Sequence, residues 1–348
     1  MENSVIRQLP AVLPGWYREH RRQLPWRQSR EPYRIWLSEI MLQQTRVEAV
    51  KGYYQRFLEA LPTVEALANA QDELLHKLWE GLGYYSRVRN LKKAAVQIME
   101  HHRGEFPTEY AQVLALPGIG EYTAGAICSI AFDQPKAAVD GNVLRVITRL
   151  TEDATPIDSP VLKRTVREAL EEVYPKEAGE FTQALMELGA TLCGPNWKPR
   201  CAQCPCQGFC GGYLHGTAER FPVKKPKAKR REEQYTVFIL TSGGRFALEK
   251  RPQEGLLAGL YQFPNCPGYL EPEQALAYLE TRGLHPKELK AQLQRQHIFT
   301  HIRWDMRGFY VEVAAPEGEY LWLTPEAIET KAALPTAFRQ FWEETDHV

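Results

Sequence analysis

The chain has 348 residues, longer than most single domains, so two domains are expected. Hydrophobic residues make up 44% and charged residues 25%, which is ordinary globular composition and excludes a mostly disordered chain. Lys plus Arg and Asp plus Glu both number 43, so net charge alone points to no polyanionic partner, although balance can hide a local basic face.

No stretch approaches the ~20 apolar residues that cross a bilayer. The start, MENSVIRQLP, lacks a cationic segment followed by an apolar run, so no secretory signal is expected. Seven cysteines is an odd number, and five of them fall within 193–210. That crowding predicts a metal or cluster site in a reducing compartment rather than a disulfide framework.

Residues 1–216 read as an all-α unit. Apolar positions three to four apart predict helices over 33–44, 47–60, 71–80, 86–102, 119–131, 161–173 and 178–192. Pro62, Pro107, Pro117, Pro135, Pro156 and Pro175 punctuate them. Within this unit LPGIGEYTAGAI, residues 116–127, sets Gly118 and Gly120 before an Ala/Gly-rich helix. A tight turn that exposes backbone N–H groups at a helix N-terminus grips a phosphate without reading sequence, so the segment predicts a helix-hairpin-helix. About twenty residues on, Asp140 precedes a predicted helix at 142–150. It reads either as a plain N-cap or as a carboxylate kept ionised by the helix dipole to steady positive charge on a sugar.

The helix 178–192 runs into a loop bearing Cys193, Cys201, Cys204 and Cys210, with Cys206 between the last two. Four thiolates can surround zinc or a [4Fe–4S] cluster. A single CxxC and a loop-closing spacing lean towards iron–sulfur, and Cys206 could replace a neighbour as ligand. Cys128 reads as core, and Cys266 has no assigned role.

Composition changes at 217–233, where seven Lys or Arg fall between Arg220 and Arg231 with two Pro and no acid. This reads as a basic linker, either a solvated tether or a strap along a phosphate backbone. From 234 to 348 the pattern turns to period two. QYTVFIL, SGG and RFALEKR predict a hairpin, RGFYVEVAA and EYLWLT further strands, and 272–282 and 325–332 helices. The second unit is therefore α+β.

Taken together, LPWRQSREPYRIWLSEIMLQQTRVE, GLGYYSRVRNL, LPGIGEYTAGAI, VDGNVLRV and the cysteine loop resemble the helix-hairpin-helix DNA glycosylase superfamily that contains endonuclease III. Within it the chain, from about 8 to 340, resembles the MutY family of adenine DNA glycosylases. The resemblance implies a hydrolase of N-glycosyl bonds that removes adenine mispaired with 8-oxoguanine or guanine from double-stranded DNA in base excision repair. It also implies a [4Fe–4S] cluster on Cys193, Cys201, Cys204 and Cys210. The first cysteine gap holds seven residues where the family loop usually holds six, which puts the ligand set in question. Where lyase-active relatives carry a lysine, this chain has Tyr122. A phenol forms no Schiff base, so a monofunctional glycosylase is expected.

Carried over by the resemblance, Glu39 is the general acid that protonates adenine N7. Apolar neighbours Trp36, Ile40 and Met41 should raise its pKa. Asp140 steadies the oxocarbenium-like state, and Tyr122 and Asn142 orient the two carboxyl groups. Trp26, Arg27, Leu42 and Gln183 map to the adenine pocket. Gln44 and Tyr84 map to wedges near 8-oxoguanine, since a base inside a duplex must be flipped out.

The region from 234 resembles a Nudix domain. Its segment GLLAGLYQFPNCPGYLEPEQAL lacks the REXXEE core that holds Mg²⁺ in Nudix hydrolases, which leaves a recognition role. Phe299, Thr300 and His301 resemble the family's Phe-Ser-His loop that contacts 8-oxoguanine. No membrane partner is expected, and a cytoplasmic, nucleoid-associated monomer is. Three rivals stand beside this reading: an endonuclease III-like glycosylase/lyase, a non-catalytic DNA-binding redox sensor, and a nucleotide pyrophosphohydrolase.

Overall fold

Proline and glycine set the helix ends. The six prolines that punctuate the pattern all lie between helices, and Pro32 and Pro160 each open one, where a missing N–H costs nothing. A computed structural model describes residues 3–226 and 229–345. The periodic segments appear as the helices Pro32–Leu42, Val47–Ala60, Asp72–Leu78, Ser86–His101, Glu121–Phe132, Pro160–Glu171 and Ala178–Thr191, with Gly141–Thr151 after Asp140. A further helix, Leu9–His20, buries Leu9, Leu13, Trp16 and Tyr17 along one face; the Pro14-Gly15 pair inside it masks its period.

The chain divides into two compact units, residues 1–69 with 90–226 and residues 70–89 with 227–348. In the first, Ile6, Tyr17, Val143, Ile147, Phe181 and Leu185 belong to one buried cluster, against which Cys193, Cys204 and Cys210 pack. Close approaches hold the helices that carry the site. A Cβ on Gly125 would lie 2.4 Å from the Ala137 carbonyl oxygen, and one on Gly189 would lie 2.8 Å from Asn142 Cβ. Part of the expected linker is tied to this unit. Arg149 Nε donates to the carbonyls of Ala218 and Phe221 at 3.0 Å each, and the Ile157 N–H donates to Val223 O at 2.9 Å. Lys227 and Ala228 of that linker lie outside the described residues.

The second unit is a mixed sheet with helices on both faces. Its strands are β1 (Arg231–Ser242), β2 (Arg245–Lys250), β3 (Tyr261–Gln262), β4 (Asn265–Pro267), β5 (Pro286–Ile298), β6 (Ile302–Val313) and β7 (Leu321–Leu323). The order β3-β2-β1-β6-β5 has β4 on β1 and β7 on β2. β1 runs parallel to β6, from Arg231 opposite Ile302 to Thr241 opposite Glu312. Gly243 and Gly244, at φ +54° and +73°, close the β1–β2 hairpin, whose turn needs positive φ at both positions. Alternation then sorts the core. Val237 and Ile239 pack with Ile328, Phe338 and Phe341 of the C-terminal helices, while Phe238 and Leu240 pack with Ala275 and Leu279 of the helix Pro272–Thr281.

Two boundaries differ from expectation. β1 begins at Arg231 rather than 234, because three linker residues pair with β6. Residues 70–89 group with the second unit rather than the first. Their charges explain it: Glu73 pairs with Lys250 at 3.0 Å, and Glu80 Oε1 accepts from Arg339 at 3.1 Å and from the Leu334 N–H at 3.0 Å.

Gly125→Ala should destabilise the protein. Helix propensity favours alanine by about 1 kcal/mol, but overpacking against backbone costs about 1–3 kcal/mol. A lowered midpoint in chemical denaturation followed by tryptophan fluorescence checks this; an unchanged or raised midpoint refutes it.

Candidate active site

The helix Pro32–Leu42 is buried along most of its length, and Glu39 sits among Trp36, Ile40 and Met41 with 6% of its surface exposed. Burial lifts its pKa to about 7. The Tyr122 hydroxyl, donating to Glu39 Oε2 at 2.7 Å, pulls the other way, and the Asp140 charge adds to the rise. Tyr122 itself is driven well above its ordinary value, by burial first, so it stays a donor.

Asp140 caps the helix Gly141–Thr151. Its Oδ1 accepts from the Val143 N–H at 2.8 Å and its Oδ2 from Asn142 Nδ2 at 2.7 Å. Burial nevertheless moves its pKa upward against those donors. Asn142 is itself oriented, because Arg145 Nη2 donates to its Oδ1 at 2.8 Å while Arg145 Nε donates to the Cys193 carbonyl at 2.8 Å.

Glu39 and Asp140 line one cavity of about 250 Å³, together with Tyr122 and Asn142. Trp26, Arg27, Leu42 and Gln183 line it too. Two charged residues that the sequence did not single out also line it, Arg22 and Glu187. Glu187 is fully buried. Burial opposes its charge, but hydrogen bonds from Arg22 at 2.7 and 2.8 Å and from Arg27 at 2.7 Å bring its pKa to about 2. Tyr17 donates to Gln183 Oε1 at 2.9 Å and so fixes the amide. The available signal was spacing: Glu187 follows Gln183 by four residues and shares its helix face.

The hairpin takes the expected form. Gly118 has φ +77°, and a Cβ there would lie 2.6 Å from Asn90 Cβ, so only glycine fits. Gly120 is the N-cap of the helix Glu121–Phe132, leaving backbone N–H groups at its start. Gln44 is exposed just past the helix that bears Glu39, at φ +58°.

Cys193, Cys201, Cys204 and Cys210 lie close enough to perturb one another electrostatically. Arg149 Nη1 donates to Cys193 Sγ at 3.2 Å. Cys206 is buried in the core of the unit. Among the described residues no three His, Cys, Asp or Glu side chains are grouped to hold a single metal ion.

The second unit holds a separate cavity of about 380 Å³. Tyr84, Phe299, Thr300 and His301 all line it, and Tyr84 Oη lies 2.9 Å from Thr300 Oγ1. Tyr84 is 47% exposed at φ +47°, a left-handed backbone that is uncommon outside glycine. Phe299 packs edge-on against Trp304, centroids 4.9 Å apart, which anchors the turn between β5 and β6.

Residues 37–176 match the HhH-GPD superfamily of base excision DNA repair proteins, and residues 236–344 match the NUDIX domain. An adenine DNA glycosylase of Arabidopsis thaliana is 38% identical over 86% of this chain, which spans 56% of that relative's length. Those of Homo sapiens and Rattus norvegicus are each 35% identical over 94% of this chain, covering 72% and 76% of their lengths. Among solved structures, a thermostable thymine-DNA glycosylase superposes with a TM-score of 0.56 at 28% identity, over 61% of this chain and 98% of its own. An endonuclease III trapped on DNA shares the fold at a TM-score of 0.53 and 24% identity, over 62% of this chain and 99% of its own. No helix among the described residues is long and apolar enough to cross a membrane. With a buried acid and a second carboxylate in one cavity of a helix-hairpin-helix unit, and a Nudix domain beyond it, the chain belongs to the adenine DNA glycosylase family of base excision repair enzymes.

Proposed function

We propose that this chain hydrolyses the N-glycosidic bond of an adenine paired with 8-oxoguanine in double-stranded DNA, with Glu39 as acid and Asp140 as the anion that steadies the sugar. The observation that carries the reading is the raised pKa of Glu39 in a cavity it shares with Asp140. A carboxyl with a pKa of about 7 is part-protonated at neutrality and can give its proton to adenine N7. The C1′–N9 bond breaks with its electron pair going to the base. Positive charge develops on the sugar, and that charge favours the ionised form of Asp140 that burial disfavours. Glu39, now a carboxylate, takes a proton from water as the water oxygen bonds C1′. Water and nucleotide are consumed; adenine and an abasic deoxyribose are formed. The adenine reaches the cavity flipped from the duplex, at a cost of a few kcal/mol. Trp26 and Leu42 offer it apolar surface, while Arg27 and the Gln183 amide offer polar partners for its edge.

Tyr84 and the Phe299–His301 turn are proposed to read the opposite base. They line one cavity, and the Thr300 hydroxyl keeps the donor and acceptor capacity of serine. The NUDIX match supports a domain reused for recognition. The four clustered cysteines suit a [4Fe–4S] cluster: all donors are soft sulfurs, and a guanidinium faces one of them. The cluster would pin the loop 193–210. Monomeric, cytoplasmic action on nucleoid DNA completes the proposal.

Three measurements test these assignments. Glu39→Gln should bind mismatch DNA yet slow single-turnover base release by ~10²–10⁴-fold. In the native enzyme that rate should fall as pH rises through about 7, because the acid form is lost above its pKa. Tyr122→Phe removes a bond that favours the carboxylate, so its fall should begin at higher pH. A pH-independent rate, or a near-native Glu39→Gln, overturns the acid assignment. Borohydride should trap little covalent product, since Tyr122 offers no amine; efficient trapping would identify a lyase. Purified protein should carry about four iron and four sulfide per chain, lost in Cys204→Ser; stoichiometric zinc in their place would correct the cluster.

A further inference from the structure

Besides Tyr84 and the Phe299–His301 turn, the cavity of the second unit has a third wall, the segment Gly255–Leu257. This loop is held under strain. Leu257 has φ +58°, a left-handed conformation that is unfavourable for a bulky residue. Strain of this kind persists only where the surroundings over-determine it, and it concentrates at binding sites. The restraints are visible. Arg251 N–H donates to Leu260 O at 2.9 Å and closes the loop, while Arg251 Nε donates to Leu256 O at 3.0 Å. Arg89 Nη1 donates to the Ala258 carbonyl at 2.7 Å, tying the loop to the segment that carries Tyr84. Leu257 packs into the core of the unit, and its neighbour Leu256 is left 37% exposed at the cavity.

An apolar side chain kept in water on a strained, tethered loop, facing an exposed tyrosine held in the same uncommon backbone region, needs an occupant that covers both. Flat apolar faces with one hydroxyl pair at the edge suit a planar purine that carries polar groups on its rim. Resting on the reading that Tyr84 and Thr300 sense the base opposite adenine, we propose that Leu256 is a further specificity-determining contact for that oxidised purine, and that Arg89 is the positioning residue that fixes its loop.

The test uses the full chain and single-turnover adenine release from A:8-oxoguanine and A:G duplexes. Leu256→Ala should lower the ratio of the two rates by roughly tenfold, the order expected when one apolar contact is lost from a pocket, and leave the A:G rate within about twofold. Arg89→Met should lower the ratio likewise, and Arg89→Lys, which keeps a donor for the Ala258 carbonyl, should restore much of it. Tyr84→Leu and Thr300→Ala run beside them. If these two lower the ratio while Leu256→Ala leaves it intact, the inference fails and the lesion-sensing reading stands. If none of the four sites alters the ratio, both fall. Equal loss on both duplexes in Leu256→Ala, or no difference between Arg89→Lys and Arg89→Met, would mean a merely structural loop and would overturn the proposal.

Discussion

The first unit depends on keeping two carboxyl groups out of water beside one another. The Asp140 charge raises the pKa of Glu39, and burial raises both. Such a pair is tolerated because its protons and donors are divided unequally. Glu39 has one donor, the Tyr122 hydroxyl, and retains its proton up to about neutrality. Asp140 has two close N–H donors on a helix terminus, with Asn142 held in turn by Arg145. Environment thus gives two chemically similar groups different hydrogen-bond partners, the asymmetry on which the proposed acid and anion roles rest.

A different compromise governs the wall of the same cavity. Glu187 is fully buried between two guanidinium groups, an arrangement worth little as net stability yet expensive to break, about 3–5 kcal/mol when one partner is lost. What it supplies is direction. Arg27 cannot swing towards solvent without depriving Glu187 of one of its two guanidinium partners, so a charged donor is favoured at the cavity. Arg145 extends the same logic along the chain, since one guanidinium holds Asn142 beside Asp140 and the Cys193 carbonyl at the head of the cysteine loop.

Much of this was legible in the sequence because it rests on local chemistry. Helical periodicity, proline punctuation and the two hairpin glycines place the elements, and the apolar run around Glu39 foretells its raised pKa. Features set by long-range contact were not. The strand β5 carries a polar sequence whose residues alternate only between half-buried and exposed, so its period is faint and pairing with β6 decides it. Residues 71–80 read as one more amphipathic helix, and nothing in their pattern says which core they join; Lys250 and Arg339, more than 170 residues away, decide that. The burial of Asp140 is of the same kind, set by the fold rather than by its local sequence. A helix terminus is visible in sequence, whereas the neighbours that exclude water are not.

Chemistry and recognition rest on different balances of backbone freedom. In the first unit Glu39, Tyr122 and Asn142 hang from regular helices and Asp140 caps one, so packing fixes them and little strain is stored. The exposed residues proposed to meet the base stack are built otherwise: Gln44 and Tyr84 both have positive φ, and each lies outside a helix or strand. A proton donor needs a fixed distance to one atom, which a rigid helix provides. A side chain that enters a base stack needs an abrupt departure from the surface, which a left-handed residue at the end of an element provides. Each such residue raises the energy of the free protein by about 1–2 kcal/mol. The strained residues are therefore where substitution can alter selectivity with the least effect on the buried acid, since they share neither a helix nor a cavity with Glu39 apart from the short step from Leu42 to Gln44.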